Sequence, residues 1–61
     1  MQHEIMKYFE YSHLPEHLQL ISQPFHTMAK KIAYEFPENT EREMALRKLL
    51  EAKDCAVRAM L

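Results

Sequence analysis

The chain has 61 residues, a formal net charge of −1 with its four histidines neutral, one cysteine and no glycine. A single cysteine excludes an internal disulfide framework, and the lack of glycine excludes a P-loop or a GxGxxG dinucleotide turn. The slightly acidic balance argues against a general binder of duplex nucleic acid. There is neither an apolar run of about 18 residues to span a membrane nor a signal-peptide core near the start, so we expect an intracellular protein.

A chain of this length has little surface to bury. A domain of about 60 residues buries only about 60% of the surface that its unfolded form exposes. Such cores seldom supply more than about 3–5 kcal/mol unless a disulfide, a metal or oligomerisation helps. Because Cys55 alone cannot form an internal disulfide, we expect one small domain over residues 1–61 that assembles into a compact homo-oligomer.

The N-terminal segment, residues 3–11, is predicted to form a short helix or an extended arm. Three aromatic residues fall within four positions, at Tyr8, Phe9 and Tyr11. Their flat faces suit the stacking of nucleobases, and the alternative is that they anchor the segment to the helices as a hydrophobic staple. A break is expected next, because Pro15 disfavours the helical conformation of the residue before it.

The second element is predicted to run from Pro15 to about Phe36. Pro24 removes one backbone hydrogen bond inside it and should either bend the helix or split it in two. Apolar residues recur in steps of three and four on both sides of Pro24, which favours one kinked helix with a single apolar seam. The seam consists of Leu18, Ile21, Phe25, Met28, Ile32 and Phe36.

The last element is predicted to be a capped helix from Thr40 to Leu61. Residues 36–39 form the loop before it, and Thr40 with Glu43 three residues later matches the capping-box pattern. A short loop between two long helices predicts an all-α antiparallel helical hairpin. The side expected to be buried consists of Leu46, Leu49, Leu50, Val57, Met60 and the alanines at 45, 52 and 56.

Charged residues on the last helix suggest local stabilisation. Glu43–Arg47 and Asp54–Arg58 are spaced four apart in the favourable order, and each pair is expected to add a few tenths of a kcal/mol.

Neither catalysis nor metal binding is expected. Cys55 lies in the middle of a helix, far from the helix N-terminus that would activate its thiol, so we expect no enzyme and no cofactor. His13 and His17 are four residues apart, as helical metal ligands are. Pro15 places His13 outside the helical register, so surface histidines are favoured over a metal site. A helix–turn–helix is disfavoured because the helices are too long and no recognition helix stands out.

Basic residues offer local anion sites. Arg42 lies in the first turn of the last helix, where unpaired amides and the helix dipole favour an anion. Copies of its guanidinium around a symmetry axis would make a phosphate site. The other basic residues are expected to belong mostly to a solvated face, and they are Lys7, Lys30, Lys31, Arg47, Lys48, Lys53 and Arg58.

Four segments of the chain together resemble a known family. They are YFEYSHLP at residues 8–15, QPFH at 23–26, NTER at 39–42 and ALRKLLEAKDCAVRA at 45–59. These segments are similar to the helical hairpin domain shared by phage anti-CBASS and anti-Thoeris sponge proteins. The resemblance covers roughly residues 8–61 and is most specific between Glu41 and Asp54.

The resemblance implies a function in immune evasion. Members of this family are small helical proteins that assemble into compact hexamers and bind cyclic dinucleotide messengers such as 3′,3′-cGAMP. Some members also bind cyclic trinucleotides at a separate threefold site. They sequester the messenger without cleaving it, in the cytoplasm of the infected bacterial host, so that the CBASS effector is not activated.

The resemblance also nominates ligand-binding residues. Arg42 matches the arginine expected to reach ligand phosphates, and Tyr11 matches the tyrosine of the aromatic-x-Tyr motif. Longer relatives use an extra N-terminal helix to supply a lysine and a stacking aromatic to the dinucleotide pocket, and Lys7 with Tyr8 are the candidates for these roles here. Glu10 stands where relatives often carry a small hydroxyl residue, and its carboxylate would repel a trinucleotide.

Two other functions stay open at this point. One is a non-catalytic helical module that offers a helix face to a host or phage protein. The other is a small DNA-binding or antirepressor protein, which the net charge of −1 makes less favourable.

Overall fold

A computed structural model describes residues 4–61 and shows a two-helix hairpin. A short 3₁₀ helix, Glu4–Phe9, precedes two long helices, α1 (Glu16–Glu35) and α2 (Thr40–Ala59), which pack against each other. Residues 4–61 contain no strand. The predicted all-α hairpin with a short N-terminal helix is therefore confirmed, whereas the predicted start of that helix at residue 3 lies outside the described residues.

The molecule is elongated because each long helix has 20 residues. At about 1.5 Å per residue such a helix is about 30 Å long, and the greatest extent of the chain is 34 Å. Within residues 4–61, neither long helix is apolar enough to cross a bilayer.

Prolines define both ends of α1. Pro15 precedes the helix in an extended conformation, with φ −55° and ψ 152°, and its carbonyl accepts the first helical hydrogen bonds. The Gln19 side chain donates to the Leu14 carbonyl at 2.8 Å and so ties the preceding turn to the helix. At the other end Phe36 is extended, as expected for a residue before proline. The helix is continuous through Pro24, which confirms one helix rather than two.

Asn39 caps the N-terminus of α2. Its side-chain oxygen accepts a hydrogen bond from the backbone N–H of Arg42 at 2.8 Å, which satisfies one of the unpaired donors of the first turn. The predicted capping box was therefore wrong by one residue, because Thr40 is the first helical residue and not the cap. The helix ends at Ala59, two residues before the predicted end at Leu61.

The core lies where the 3₁₀ helix, α1 and α2 meet. Phe9 is fully buried there and packs with Ala29, Ile32, Ala33 and Leu46. The small alanines leave room for the Phe9 ring. Of the three aromatic residues considered for a hydrophobic staple, Phe9 is buried in this way, whereas Tyr8 is exposed. Partly buried residues surround this cluster, and they are Ile5, Met6, Phe25, Ala45, Leu49 and Leu50.

The predicted apolar seam of α1 is correct only in part. Leu18 and Ile32 are buried, whereas Met28 is exposed and the buried face turns toward Ala29 and Ala33. Phe36 is exposed because the chain has left the helix before Pro37. On α2, Leu46 is buried as predicted, and the exposed residues of the predicted buried side are Ala52 and Met60.

The two ion pairs predicted for α2 do not form in residues 4–61. Glu43 instead pairs with Arg42, with its Oε2 3.0 Å from Nη2. Asp54 pairs with Lys53 at 3.0 Å, and the Arg58 guanidinium lies 3.4 Å from the Cys55 sulfur. In both cases the carboxylate pairs with the basic residue directly before it in the chain rather than with the arginine four residues later.

Candidate functional site

Arg42, the residue expected to bind phosphate, lies inside the hairpin. It is only 6% exposed. Its Nη1 donates to the Ala33 carbonyl at 3.1 Å, so the guanidinium links the start of α2 to the last turns of α1. Its Nη2 contacts the Glu43 carboxylate at 3.0 Å and lies 4.0 Å from that of Glu38. In this arrangement Arg42 closes the hairpin, and its charge is already balanced by carboxylates.

One atom of Arg42 has no hydrogen-bond partner. Nε is buried and makes no hydrogen bond to any residue in the range 4–61. Arg42 also lines a largely apolar hollow of about 240 Å³, together with Phe36, Pro37, Asn39, Glu41 and Ala45. An anion would have to displace Glu43 or Glu38 to reach the guanidinium, so the role of Arg42 as a ligand residue stays a prediction.

Lys7 and Tyr8 come together at the other end of the hairpin. The 3₁₀ helix presents both side chains to solvent, and the Lys7 ammonium lies 5.3 Å from the centre of the Tyr8 ring. This is within the range of a cation–π contact. Here the 3₁₀ helix and the turn after it meet the C-terminal half of α2 in a groove of about 300 Å³. We call it the basic groove, and it is lined by Lys7, Tyr8, Glu10, His13, Leu14, Lys53, Asp54, Val57 and Arg58.

The basic groove carries an excess of positive charge. Three cationic side chains, Lys7, Lys53 and Arg58, face two carboxylates, Glu10 and Asp54, which leaves a formal charge of +1 with His13 neutral (3 − 2). Lys53 is largely buried and is held by Asp54 at 3.0 Å. Within residues 4–61, Lys7 and Arg58 pair with no carboxylate. These two exposed cations are the groups that can meet an incoming anion.

Tyr11 lies outside the basic groove, although it is only three residues from Tyr8. Its ring packs edge-to-face on His26 of α1, with the ring centres 5.3 Å apart and the planes at 65°. It borders a broad concavity along α1 that has a volume of about 1020 Å³ and is also lined by Lys30 and Lys31. The four predicted ligand residues therefore occupy three places, and the structure brings only Lys7 and Tyr8 together.

Sequence reasoning identified the basic residues of α2 but could not place them. Lys53 and Arg58 join Lys7 only because the 3₁₀ helix packs across the C-terminal half of α2. One signal was present in the sequence: Lys53 with Val57, and Asp54 with Arg58, are each four residues apart, which makes the members of each pair neighbours on the surface of α2.

The histidine pair does not form a metal centre in the described residues. Within residues 4–61, no group of three or more His, Cys, Asp or Glu side chains is close enough to hold a metal ion. His13 lies in the turn before Pro15 and lines the basic groove, whereas His17 lies in the first turn of α1.

No protein-family model, no curated protein and no solved structure matches this chain.

Proposed function

We propose that this protein is a non-catalytic sponge that sequesters cyclic oligonucleotide messengers, chiefly cyclic dinucleotides such as 3′,3′-cGAMP, in the cytoplasm of a phage-infected bacterium. The resemblance of four segments to the anti-CBASS and anti-Thoeris hairpin domain motivates the ligand class. The structural observation that carries the proposal is the basic groove. In it an exposed aromatic ring, Tyr8, stands beside two cations without carboxylate partners, Lys7 and Arg58.

Each part of the basic groove suits one part of a nucleotide. Tyr8 is 56% exposed, so its ring can be reached by a base from solvent. Lys7 and Arg58 can donate charge-assisted hydrogen bonds to a phosphodiester. Small-molecule pockets usually measure about 300–1,000 Å³, so the groove, at about 300 Å³, suits one base and one phosphate rather than a whole cyclic dinucleotide.

The energetics favour a ligand shared between two copies of the chain. One stacked base contributes about 1–3 kcal/mol, and each charge-assisted hydrogen bond adds about 1.5–3 kcal/mol. Two such bonds and one base give about 4–9 kcal/mol before the cost of association is subtracted. Micromolar binding requires about 8 kcal/mol, so a single groove falls short. A cyclic dinucleotide has two bases and two phosphates, and two grooves facing it would double the contacts.

Oligomerisation is therefore part of the proposal. The family resemblance suggests a hexamer, and a small core with several exposed apolar side chains is consistent with a larger assembly. Duplex nucleic acid and membranes are not among the proposed partners.

Calorimetric titration of the purified protein with 3′,3′-cGAMP tests the proposal. We expect sub-micromolar binding, and we expect the ligand to be recovered unchanged by chromatography after heat denaturation of the complex. Absence of heat with this ligand and with a panel of cyclic di- and trinucleotides would overturn the proposal. A shortened or linearised ligand would show cleavage rather than sequestration.

Substitutions test whether cyclic nucleotides bind in the basic groove, separately from whether the protein binds them at all. Tyr8→Ala should weaken binding by about 5- to 150-fold, the equivalent of about 1–3 kcal/mol for one base, and Arg58→Ala should weaken it comparably. Lys48→Ala is the matched control, because Lys48 is exposed on the same helix outside the basic groove. Undiminished affinity in Tyr8→Ala and Arg58→Ala would move the site elsewhere while leaving the function standing.

A second candidate function is a protein-interaction module. The observation that favours it is the outer face of α1, where Leu20 is 69% exposed and Tyr34 is 64% exposed. A protein that binds none of the cyclic nucleotides and captures one host or phage protein through this face would fit the second function and not the first.

A further inference from the structure

One carboxylate of the basic groove has no partner in the described part of the chain. Glu10 lines the groove together with Lys7 and Tyr8. Within residues 4–61 its side chain makes neither an ion pair nor a hydrogen bond. The other carboxylate of the groove, Asp54, is held by Lys53 at 3.0 Å. Glu10 is therefore the acidic group that the groove can offer to hydrogen-bond donors of a ligand.

The backbone holds Glu10 close in the chain to the aromatic ring of the groove. The 3₁₀ helix ends at Phe9, and the backbone N–H of Glu10 donates to the Lys7 carbonyl at 3.4 Å, which continues the last turn. Tyr8 and Glu10 are both exposed, and both line the groove. One turn of the chain thus presents a stacking ring and a free carboxylate to the same groove.

We infer that Glu10 binds the edge of the base that stacks on Tyr8, and that it makes the basic groove selective for guanine. This inference rests on the proposed function and names the base that the site prefers. Guanine carries two adjacent donors on its Watson–Crick edge, N1–H and N2–H, whereas a carboxylate has two acceptor oxygens and no donor. Proteins commonly recognise an unstacked base in this way, by hydrogen bonds to that edge and an aromatic side chain on its face.

The other bases match a carboxylate less well. Adenine has one donor position on this edge, N6–H, and its N1 is an acceptor that would face a carboxylate oxygen. Cytosine places its N3 acceptor beside the N4 donor, and uracil places a carbonyl on each side of N3–H. Each of these edges would bring an acceptor against a carboxylate oxygen, which accepts hydrogen bonds but donates none. Guanine is therefore the base that can bond to both oxygens.

The charges of the groove assign different parts of a nucleotide to different side chains. The carboxylate of Glu10 repels a phosphodiester, which is instead attracted to Lys7 and Arg58. Glu10 therefore opposes the binding of any anionic ligand unless a base supplies donors to it. A group that penalises the wrong ligand in this way contributes to specificity more than to affinity.

The expected preference is moderate because Glu10 is exposed to solvent. We expect guanine to be preferred over adenine by about 5- to 30-fold at each groove, the lower part of the range for a bidentate contact to a base edge. With two grooves facing one ligand, cyclic di-GMP should bind most tightly, 3′,3′-cGAMP less tightly and cyclic di-AMP most weakly.

Calorimetric titration of the purified protein with these three ligands tests the inference, because they differ only in their bases. The amide of Glu10→Gln has one acceptor and one donor, which match N6–H and N1 of adenine. The preference for guanine should therefore disappear or reverse in this variant. The quantity compared is the ratio of the affinities for cyclic di-GMP and cyclic di-AMP, since loss of a negative charge strengthens the binding of both anions. Glu51→Gln, exposed on α2 outside the groove, removes the same charge and should leave the ratio unchanged.

The outcomes distinguish this inference from the proposed function. Equal affinities of the wild type for cyclic di-GMP and cyclic di-AMP would overturn the inference while the sponge function stands. The same follows if Glu10→Gln keeps the wild-type ratio, with circular dichroism showing that the variant is folded. Absence of binding with all three ligands would instead overturn the dinucleotide function, and the inference with it.

Discussion

Replacement of Arg42 by alanine should destabilise the hairpin itself. The guanidinium is buried and donates to the Ala33 carbonyl at 3.1 Å. Removing the donor leaves a buried carbonyl without a partner, which costs about 1–3 kcal/mol. The pair with Glu43, whose side chain is 59% exposed, adds at most about 1 kcal/mol because solvent screens it. The aliphatic part of the side chain also loses its packing.

These contributions together give a loss of about 2–4 kcal/mol for Arg42→Ala, since few substitutions outside a core exceed that range. In a domain of this size each kcal/mol lowers the melting temperature by about 4–8 °C, so the expected decrease is on the order of 10–30 °C. Arg42→Lys keeps a charge and an aliphatic chain but has one amine for two partners. It should therefore lie between the wild type and Arg42→Ala.

Urea denaturation followed by far-UV circular dichroism measures the loss. All variants must be compared at one protein concentration, because oligomerisation makes apparent stability depend on concentration. Arg47→Ala is the matched control, since Arg47 is exposed on the same helix and should change stability by less than about 0.5 kcal/mol. Coincident midpoints for Arg42→Ala and Arg47→Ala would refute the structural role of Arg42.

This prediction also affects how ligand-binding experiments are interpreted. If Arg42→Ala loses nucleotide binding, the loss shows a phosphate contact only when the variant is still folded and assembled under the conditions of the titration. The substitutions in the basic groove avoid this ambiguity, because Tyr8 and Arg58 are exposed.

Three further predictions, the first two with a matched control substitution, test the hairpin by urea denaturation. Phe9→Ala should cost about 3–5 kcal/mol because the ring is fully buried, whereas Tyr8→Ala, at the exposed neighbour, should change stability by less than about 0.5 kcal/mol; similar losses would contradict the staple. Asn39→Ala should lower the free energy of unfolding by about 1 kcal/mol through loss of the cap, and Thr40→Ala should lower it clearly less. A larger loss for Thr40→Ala than for Asn39→Ala would instead support the predicted capping box. Ser22→Ala should be neutral or stabilising by up to about 1 kcal/mol, because the buried Ser22 hydroxyl has no partner within residues 4–61; a clear loss would reveal one.

Local sequence signals were sufficient to predict the hairpin. Pro15 and Pro37 disfavour helix in the residues before them, and α1 begins just after the first and ends just before the second. The loop between the two long helices is short, which predicts that they run antiparallel. The seam of α1 was predicted less well, because spacing arguments favour large apolar residues such as Met28. The structure buries Ala29 and Ala33 instead, where the Phe9 ring needs space. That requirement comes from the tertiary packing and is invisible in a single helix.

The candidate site could be predicted only in part. Lys7 and Tyr8 are neighbours in sequence, so their proximity was expected. Their meeting with Lys53 and Arg58 depends on how the 3₁₀ helix packs on α2, which no local pattern encodes. For Arg42 the local pattern was easy to read but incomplete. A basic residue at a helix N-terminus suggests an anion site, but here carboxylates and a carbonyl of the same chain already surround the guanidinium.

The loop between the helices has a consequence for how this protein can vary. Residues 4–61 contain no positive φ angle, so the turn from α1 into α2 is made without a left-handed residue. A backbone of this kind does not demand glycine, and Pro37 already restricts the unfolded chain at this point. Tolerance to substitution at residues 36–39 should therefore follow side-chain chemistry alone. A deep mutational scan should show strong selection at Asn39, whose side chain caps the helix, and broad acceptance at Glu38.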